Sequence, residues 1–258
     1  MQPEVLRSVL TRLLTISKEQ ATARPTVINC AAYTKVDLAE KEPELCRRIN
    51  VEAVQVLAQV CRHVGAKLVH IGSDYVFGSS APRDVPCRET DPIAPQSVYA
   101  LSKADGDEAA LNAPFGLVVR TCGLYDRVSG PRHANFPTTM LRLAGERPRL
   151  RVVGDQTCTP SYVPDIVTGI VELLRHDAVG LYHLTNAGET TWYDFAVELL
   201  RLAESTTPID RITTAEFNAP APRPAYSVLD STKAQSLTGH VMPAWEDALV
   251  RYVASLDR

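Results

Sequence analysis

Tyr99 and Lys103 are the residues of this 258-residue chain whose types and spacing most readily suggest chemistry. A separation of four residues places the two side chains on one face of a helix. The pKa of a free tyrosine, about 10, is too high for an efficient acid or base at neutral pH, and a neighbouring ammonium group lowers it. Such a pair could exchange a proton with a carbonyl or an alcohol. Because Tyr-x-x-x-Lys often occurs by chance, an ordinary surface pair is the competing interpretation.

Ser73 is a second candidate, because it follows closely on the apolar segment at residues 67–71. A serine at the carboxyl end of a strand can donate a hydrogen bond to a substrate oxygen, as the donors of an oxyanion hole do. A turn serine that bonds to the local backbone is the alternative. A strand-end serine about 26 residues before Tyr-x-x-x-Lys resembles the layout of the short-chain dehydrogenase/reductase superfamily, so the two candidates strengthen each other.

Apolar patterns predict the elements that must position these side chains. Short apolar runs at residues 26–32, 67–71 and 116–121 are typical of strands buried on both faces of a parallel sheet. Helical spacing of apolar residues over 44–64, and a helix across 98–111, separate them. This alternation indicates right-handed βαβ units and a doubly wound sheet, which binds ligands beyond the carboxyl ends of its strands.

Composition and charge exclude several classes of protein. With 45% hydrophobic and 22% charged residues, the chain is not disordered, collagen-like or a disulfide scaffold. The net charge of −3 implies no strongly basic face, so nucleic acid is not an expected partner. The scattered histidines predict no metal site. No apolar run approaches the roughly 18 residues of a membrane helix, and no signal peptide is evident. The six cysteines predict buried thiols in a reducing compartment. We therefore expect a cytoplasmic protein without a membrane partner.

Further segments resemble one family of that superfamily, the dTDP-4-dehydrorhamnose reductases. The segment from Asn29 to Glu40 is similar to the family's NAAAYTAVDKAE, and the segment from Ser73 to Gly78 is similar to its STDYVFDG. Other matches follow in family order over nearly the whole chain from about Pro25. They include Glu89 to Asp91, Asn135 with Phe136, Val153 to Gln156, Trp192 to Phe195, and Arg223 with Pro224. Several ordered motifs are far more specific than Tyr-x-x-x-Lys alone.

The resemblance implies a role for each candidate residue. Ser73 would polarise the ketone of the sugar, Tyr99 would donate the proton, and Lys103 would tune Tyr99 and hold the cofactor ribose. Family members transfer a hydride to C4 of a dTDP-linked 4-keto sugar from NADPH, with NADH as the alternative cofactor here. The implied cofactor contacts are Ala31, Ala32, Thr34, Tyr99 and Lys103, and the implied substrate contacts are Asp74, Tyr75 and Arg223. For Arg223, a guanidinium suits a diphosphate, and a salt link between two lobes is an equal alternative.

The implied fold is α/β, a Rossmann-like doubly wound parallel sheet with a smaller α/β C-terminal substrate lobe. We expect residues 1–130 to form the nucleotide-binding core, to which the chain returns around 155–180, and residues 131–258 to form mainly the substrate lobe. The family opens with a strand and a Gly-x-x-Gly-x-x-Gly turn that holds the cofactor pyrophosphate, whereas none of the 13 glycines here precedes Gly65. The expectation is an N-terminally truncated sheet without its first βαβ unit, about 30–40 residues, in a chain that binds NADPH poorly or not at all.

Three explanations for the missing glycine turn stay open: a misplaced start, a truncated gene and a real loss of nucleotide binding. The leading function is NADPH-dependent reduction of dTDP-4-dehydro-L-rhamnose to dTDP-L-rhamnose, or of a similar keto sugar. The alternative is a non-catalytic homologue, either a regulatory or binding subunit like the regulatory beta subunit of methionine adenosyltransferase or a truncated inactive reductase. Gly123 stands where the family often has tryptophan, which leaves the exact sugar open, and a homodimer is open as well.

Overall fold

The structure is a computed structural model that describes residues 24–78, 83–127 and 135–256, besides residues 4, 8, 11 and 12. Its centre is a sheet formed by β1 (Thr26–Asn29), β2 (Lys67–Ile71), β3 (Gly116–Arg120) and β6 (Gly180–His183). These strands lie in the order β1–β2–β3–β6, and each neighbouring pair is parallel. The carboxyl ends of the strands therefore meet at one edge of the sheet.

The remaining elements surround this sheet. The helices are α1 (Val36–Ala39), α2 (Pro43–Arg47), α3 (Ala53–Val64), α4 (Val98–Leu111), α5 (Phe136–Glu146), α6 (Val163–Arg175), α7 (Trp192–Leu202), α8 (Thr214–Phe217), α9 (Thr232–Thr238) and α10 (Trp245–Leu256). Two further strand pairs are β4 (Leu150–Val153) with β8 (Ile209–Ile212), which is parallel, and β5 (Thr157–Cys158) with β7 (Thr190–Thr191), which is antiparallel.

Alternate residues of the central strands belong to two different cores, as the pleat of a strand requires. Leu68 and Val118 pack in a core with side chains of α3 and α4. Val69 and Val119 pack on the opposite face with side chains of α6 and α9. Helices thus cover both faces of a parallel sheet, and the predicted Rossmann-like α/β fold is confirmed.

The first strand is shorter than its apolar run predicts, since β1 ends at Asn29 rather than at residue 32. The side-chain oxygen of Asn29 accepts a hydrogen bond from the backbone N–H of Ala31 at 3.2 Å. Such a local bond competes with the hydrogen bonds between strands, so the strand ends at this residue. Residues 31–35 consequently form a loop at the carboxyl edge of the sheet.

The helix predicted over residues 44–64 is present but is not uniform. It consists of α2, a π-helical turn at Arg48–Glu52, and α3. Gly65 ends it with a left-handed φ of 69°, which confirms the predicted stop because glycine adopts this conformation without a steric cost. The π turn carries Asn50, whose side chain is buried.

The C-terminal half packs around aromatic side chains. Tyr125, Phe195, Trp245 and Tyr252 share one buried cluster, which α7 and α10 supply in large part. A further cluster joins β4 to α5 and α7. These cores are distinct from those on the central sheet and agree with a substrate lobe, although the boundary near residue 130 stays a prediction. Among the helices in the described ranges, none combines the length and the apolar character needed to cross a membrane.

Candidate active site

Ser73 lies in the turn that follows β2 at the carboxyl edge of the sheet. The backbone N–H of Asp74 donates to the carbonyl of Thr121 at 3.0 Å, so this turn runs beside the segment that follows β3. Ser73 is buried, and its hydroxyl oxygen accepts a hydrogen bond from the backbone N–H of Tyr75 at 3.2 Å. The local turn bond expected of a structural serine is therefore present. The same hydroxyl also lies within hydrogen-bonding reach of Tyr99, which a turn role alone does not explain.

Helix α4 places Tyr99 and Lys103 on the side that faces this turn. Its first turn is held by two side chains, since Ser97 accepts from the N–H of Ala100 at 3.1 Å and Glu40 accepts from the N–H of Val98 at 2.9 Å. These bonds satisfy N–H groups that have no partner within the helix. One turn after Tyr99, the buried ammonium group of Lys103 donates to the carbonyl of Ile71 at 2.5 Å.

The electrostatics of Tyr99 differ from the sequence expectation. Burial raises the pKa of the Tyr99 hydroxyl, and the negative charge of Asp74 acts in the same direction, while the hydrogen bond with Ser73 opposes both. Burial also lowers the pKa of Lys103, which the charge of Asp107 partly offsets. The net pKa of Tyr99 is thus raised rather than lowered, because desolvation dominates. That Lys103 tunes Tyr99 stays a prediction. Tyr99 is held in its protonated form, the form that a proton donor needs.

Asp74 lies fully buried beneath these groups. One of its carboxylate oxygens accepts from the hydroxyl of Ser227 at 2.6 Å, and the other accepts from the hydroxyl of Ser73 at 3.4 Å. The thiol of Cys122 is also within hydrogen-bonding reach of the carboxylate. Burial raises the pKa of Asp74 to about 6, although these donors favour the ionised form. Sequence reasoning missed Ser227 and Cys122, since neither stands in a motif that marks such a contact.

The loop after β1 brings the predicted cofactor residues to the same edge. Ala31, Ala32 and Thr34 are exposed, whereas Tyr33 between them is buried. The backbone of Tyr33 is fixed by Asn50, which accepts from its N–H at 2.8 Å and donates to its carbonyl at 3.1 Å. Tyr33 shares an apolar cluster with Tyr99, so this loop borders Tyr99. Asn50 was not expected from the sequence, because a lone asparagine within a helical pattern carries no signal.

Tyr75 packs against Tyr99, and Arg223 lies beside Tyr75. The ring of Tyr75 stands edge-on to the ring of Tyr99, with centroids 5.6 Å apart. The guanidinium of Arg223 is within hydrogen-bonding reach of Tyr75 and forms a two-pronged ion pair with Asp37. The structure therefore shows the salt link that was one of the two interpretations of Arg223. A direct contact of Arg223 with substrate stays a prediction.

Gly123 has a neighbour that the sequence comparison does not reveal. Its φ is +49°, and a Cβ atom at this position would lie 2.8 Å from the outer edge of the Trp192 ring and 3.2 Å from Cα of Pro160. Trp192 thus occupies the space into which a side chain at position 123 would project. An aromatic ring is present beside this segment although position 123 itself carries none.

A parallel α/β sheet whose carboxyl edge collects a serine, a tyrosine and a lysine four residues further on defines an extended short-chain dehydrogenase/reductase. The chain belongs to the family whose model is described as RmlD substrate binding domain, which matches residues 8–258. This confirms the family resemblance of the sequence motifs.

Characterised proteins and solved structures agree with this assignment. The dTDP-4-dehydrorhamnose reductase of Streptomyces griseus is 39% identical over 242 residues, which cover 90% of this chain and 78% of that protein. A spore coat polysaccharide biosynthesis protein of Bacillus subtilis is 37% identical over 228 residues, which cover 88% of this chain and 78% of that protein. The crystal structure of dTDP-4-dehydrorhamnose reductase from Bacillus anthracis in complex with NADP matches with a TM-score of 0.85 and 35% identity, covering 95% of this chain and 85% of that chain.

Proposed function

We propose that this protein reduces a dTDP-linked 4-keto sugar with NADPH, converting dTDP-4-dehydro-L-rhamnose to dTDP-L-rhamnose. The observation that carries the proposal is the meeting of Ser73, Tyr99 and Lys103 at the carboxyl edge of the sheet, where Lys103 bonds to the last residue of β2 and Tyr99 packs against the turn that carries Ser73. Similar proteins named dTDP-4-dehydrorhamnose reductase, and one such structure in complex with NADP, support the substrate and the cofactor. They favour this function over a regulatory or binding subunit.

The residues present fit the nicotinamide and ribose side of such a cofactor. The small side chains of Ala31 and Ala32 are exposed at the end of β1, where a flat ring can approach the backbone. Lys103 donates one of its three N–H groups to the carbonyl of Ile71. The others remain available to donate to a ribose hydroxyl. We therefore assign the cofactor to these residues, with Thr34 and Tyr99. When bound, the reduced nicotinamide supplies the hydride for C4 of the sugar.

The side chains of this site handle the proton and the developing negative charge. Ser73 donates a hydrogen bond to the ketone oxygen and stabilises charge on it. Tyr99 donates its proton to the same oxygen, because its raised pKa keeps that proton in place until the oxygen becomes basic. The Tyr99 phenolate that remains is partly buried, and the buried ammonium of Lys103 one helical turn away stabilises it. Asp74 and Tyr75, which border Ser73 and Tyr99, are assigned to the substrate.

We also infer how the chain divides these tasks. Residues 1–130, with the return of the chain around 155–180, would carry the cofactor side, and residues 131–258 would carry mainly the substrate side. The aromatic cluster formed by Phe195, Trp245 and Tyr252 supports a separate C-terminal lobe. The strand β6 and the helix α9 pack with the central sheet, so the return of the chain extends beyond residue 180. A cytoplasmic location is proposed as well, because all six cysteines are free thiols, as is usual in a reducing compartment.

Replacement of Tyr99 by phenylalanine tests the proposed function. The expected result is a loss of about 10²- to 10⁴-fold in the kcat for reduction of dTDP-4-dehydro-L-rhamnose, since the proton donor is removed and the ring is kept. The rate is followed by the loss of NADPH absorbance. Tyr252→Phe is the matched control, because the Tyr252 hydroxyl is buried in the aromatic cluster with no hydrogen-bond partner among the described residues. Full turnover by the Tyr99 variant would remove Tyr99 from the reaction.

A further inference from the structure

Asp37 and Arg223 form a bridge between segments that are far apart in the chain. Nη1 of Arg223 donates to Oδ1 of Asp37 at 3.0 Å, and Nη2 donates to Oδ2 at 2.9 Å. The backbone N–H of Ala221 donates to Oδ1 at 3.2 Å. Two parallel charge-assisted bonds of this kind fix the orientation of both groups as well as their distance. We refer to this pair as the Asp37–Arg223 bridge.

The two ends of the bridge belong to different sides of the site. Asp37 is in the first turn of α1, which directly follows the loop that carries Ala31, Ala32 and Thr34. Arg223 lies in the segment between α8 and α9, 186 residues later in the sequence. The bridge thus joins the predicted cofactor loop to the C-terminal segment across the carboxyl edge of the sheet.

The donors of Arg223 are largely committed within the protein. Its two Nη1 hydrogens serve Asp37 and the carbonyl of Ala221, which lies at 2.8 Å, and one Nη2 hydrogen serves Asp37. A guanidinium has five N–H groups, and the Tyr75 hydroxyl is within reach of those that remain. The charge of Arg223 is already neutralised by Asp37. Arg223 is therefore better suited to orienting Tyr75 than to binding a free anion.

Tyr75 connects the bridge to the catalytic centre. Its ring stands edge-on to Tyr99, with centroids 5.6 Å apart, and its backbone N–H bonds to the hydroxyl of Ser73. A Tyr75 hydroxyl that accepts a hydrogen bond from Arg223 keeps its own proton for a hydrogen bond to a ligand. The Ser73 hydroxyl thus holds the backbone of Tyr75, and the guanidinium of Arg223 lies close to the Tyr75 side chain.

We propose that Asp37 is a positioning residue for the nucleotide-sugar site, which it serves by holding Arg223 across the cleft so that Arg223 fixes Tyr75 beside Tyr99. This rests on the proposed function insofar as the ligand is a dTDP-sugar. The Asp37 carboxylate is 42% exposed and the Arg223 side chain is 16% exposed, so solvent screens the pair in part and its contribution to folding stability is modest. Loss of the bridge should consequently alter ligand binding far more than the stability of the fold.

The test compares Asp37→Asn with Asp165→Asn. Asp165 forms the same two-pronged pair with Arg251, at 2.9 and 2.7 Å, but joins α6 to α10 away from the site. Binding of dTDP-L-rhamnose is measured by calorimetry, which needs no turnover, and KM, kcat and the thermal midpoint are measured for each variant. Asp37→Asn is expected to weaken binding and raise KM roughly ten-fold with little change in thermal midpoint. Asp165→Asn is expected to lower the thermal midpoint and to leave binding unchanged.

Two further variants separate positioning from simple loss of structure. Arg223→Lys keeps the positive charge but loses the paired N–H groups of the guanidinium, so it should bind dTDP-L-rhamnose as weakly as Asp37→Asn does. The affinity of the double variant should equal that of either single variant. Asp37→Glu keeps the carboxylate and should recover part of the affinity. The inference is overturned if Asp37→Asn binds dTDP-L-rhamnose as tightly as the wild type. It is also overturned if the losses of binding free energy in the two single variants add up in the double variant, or if the wild type does not bind. Binding by the wild type without reduction of the keto sugar would overturn the proposed function alone.

Discussion

At the scale of single residues, the most costly group in the site is Asp74. A carboxylate that is fully buried beside Ser73 and Ser227 has a pKa of about 6 in the folded protein, against about 3.9 in an unfolded chain. The folded state therefore binds the proton more tightly than the unfolded state does. The stability associated with this group is highest below about pH 4 and is lost as the pH rises through about 6.

Asp74→Asn should thus gain stability relative to the wild type as the pH rises. The difference in the free energy of unfolding is expected to be smallest near pH 4 and to grow by about 2–3 kcal/mol toward pH 8, because the amide cannot ionise. Urea unfolding of both proteins across this range measures the difference. Turnover should fall in the same variant, because Asp74 is assigned to the substrate and the amide replaces a hydrogen-bond acceptor by a donor at one of its two positions. A stability difference that does not vary with pH would show that Asp74 titrates normally.

At the scale of elements, the site depends on turns at the carboxyl ends of β1, β2 and β3. The apolar runs and the helical spacing predicted these strands and helices, because buried parallel strands and amphipathic helices have strong periodic signatures. The π turn at Arg48–Glu52 and the two-residue strands β5 and β7 were not predictable in this way. They are too short to have a period and arise from tertiary contacts.

Gly123 shows how a turn shapes the site, and its replacement by alanine is a direct test. The alanine would combine a strained φ of +49° with a Cβ atom 2.8 Å from the Trp192 ring, so we expect a loss of stability of about 2–4 kcal/mol and a displaced ring. The variant should also lose reductase activity. Both are measured on the purified protein, by chemical unfolding and by NADPH consumption.

Gly239→Ala is the matched control for this variant. Gly239 has a φ of +70° and no atom within 4 Å of its Cβ position, so alanine there costs only the left-handed strain, about 1 kcal/mol. Equal losses in the two variants would mean that contact with Trp192 contributes nothing at position 123.

At the scale of the whole molecule, the site is assembled from segments that no local pattern connects. The sequence placed Ser73, Tyr99 and Lys103 together, because a strand end and a helix face have known geometry in this fold. It could not pair Asp37 with Arg223 or Asp74 with Ser227, whose partners lie 186 and 153 residues apart. It also gave the wrong direction for the pKa of Tyr99, since the extent of burial depends on the complete packing.

The proposed reaction is the transfer of a hydride from NADPH to C4 of a dTDP-linked 4-keto sugar. The most direct measurement uses NADPH that carries deuterium at the transferable position of its nicotinamide, together with dTDP-4-dehydro-L-rhamnose. We expect dTDP-L-rhamnose with one deuterium at C4 of the sugar, identified by mass spectrometry and proton NMR, and its formation should depend on Tyr99. Product without deuterium at C4, or no product at all from a protein that is folded and supplied with both compounds, would contradict it.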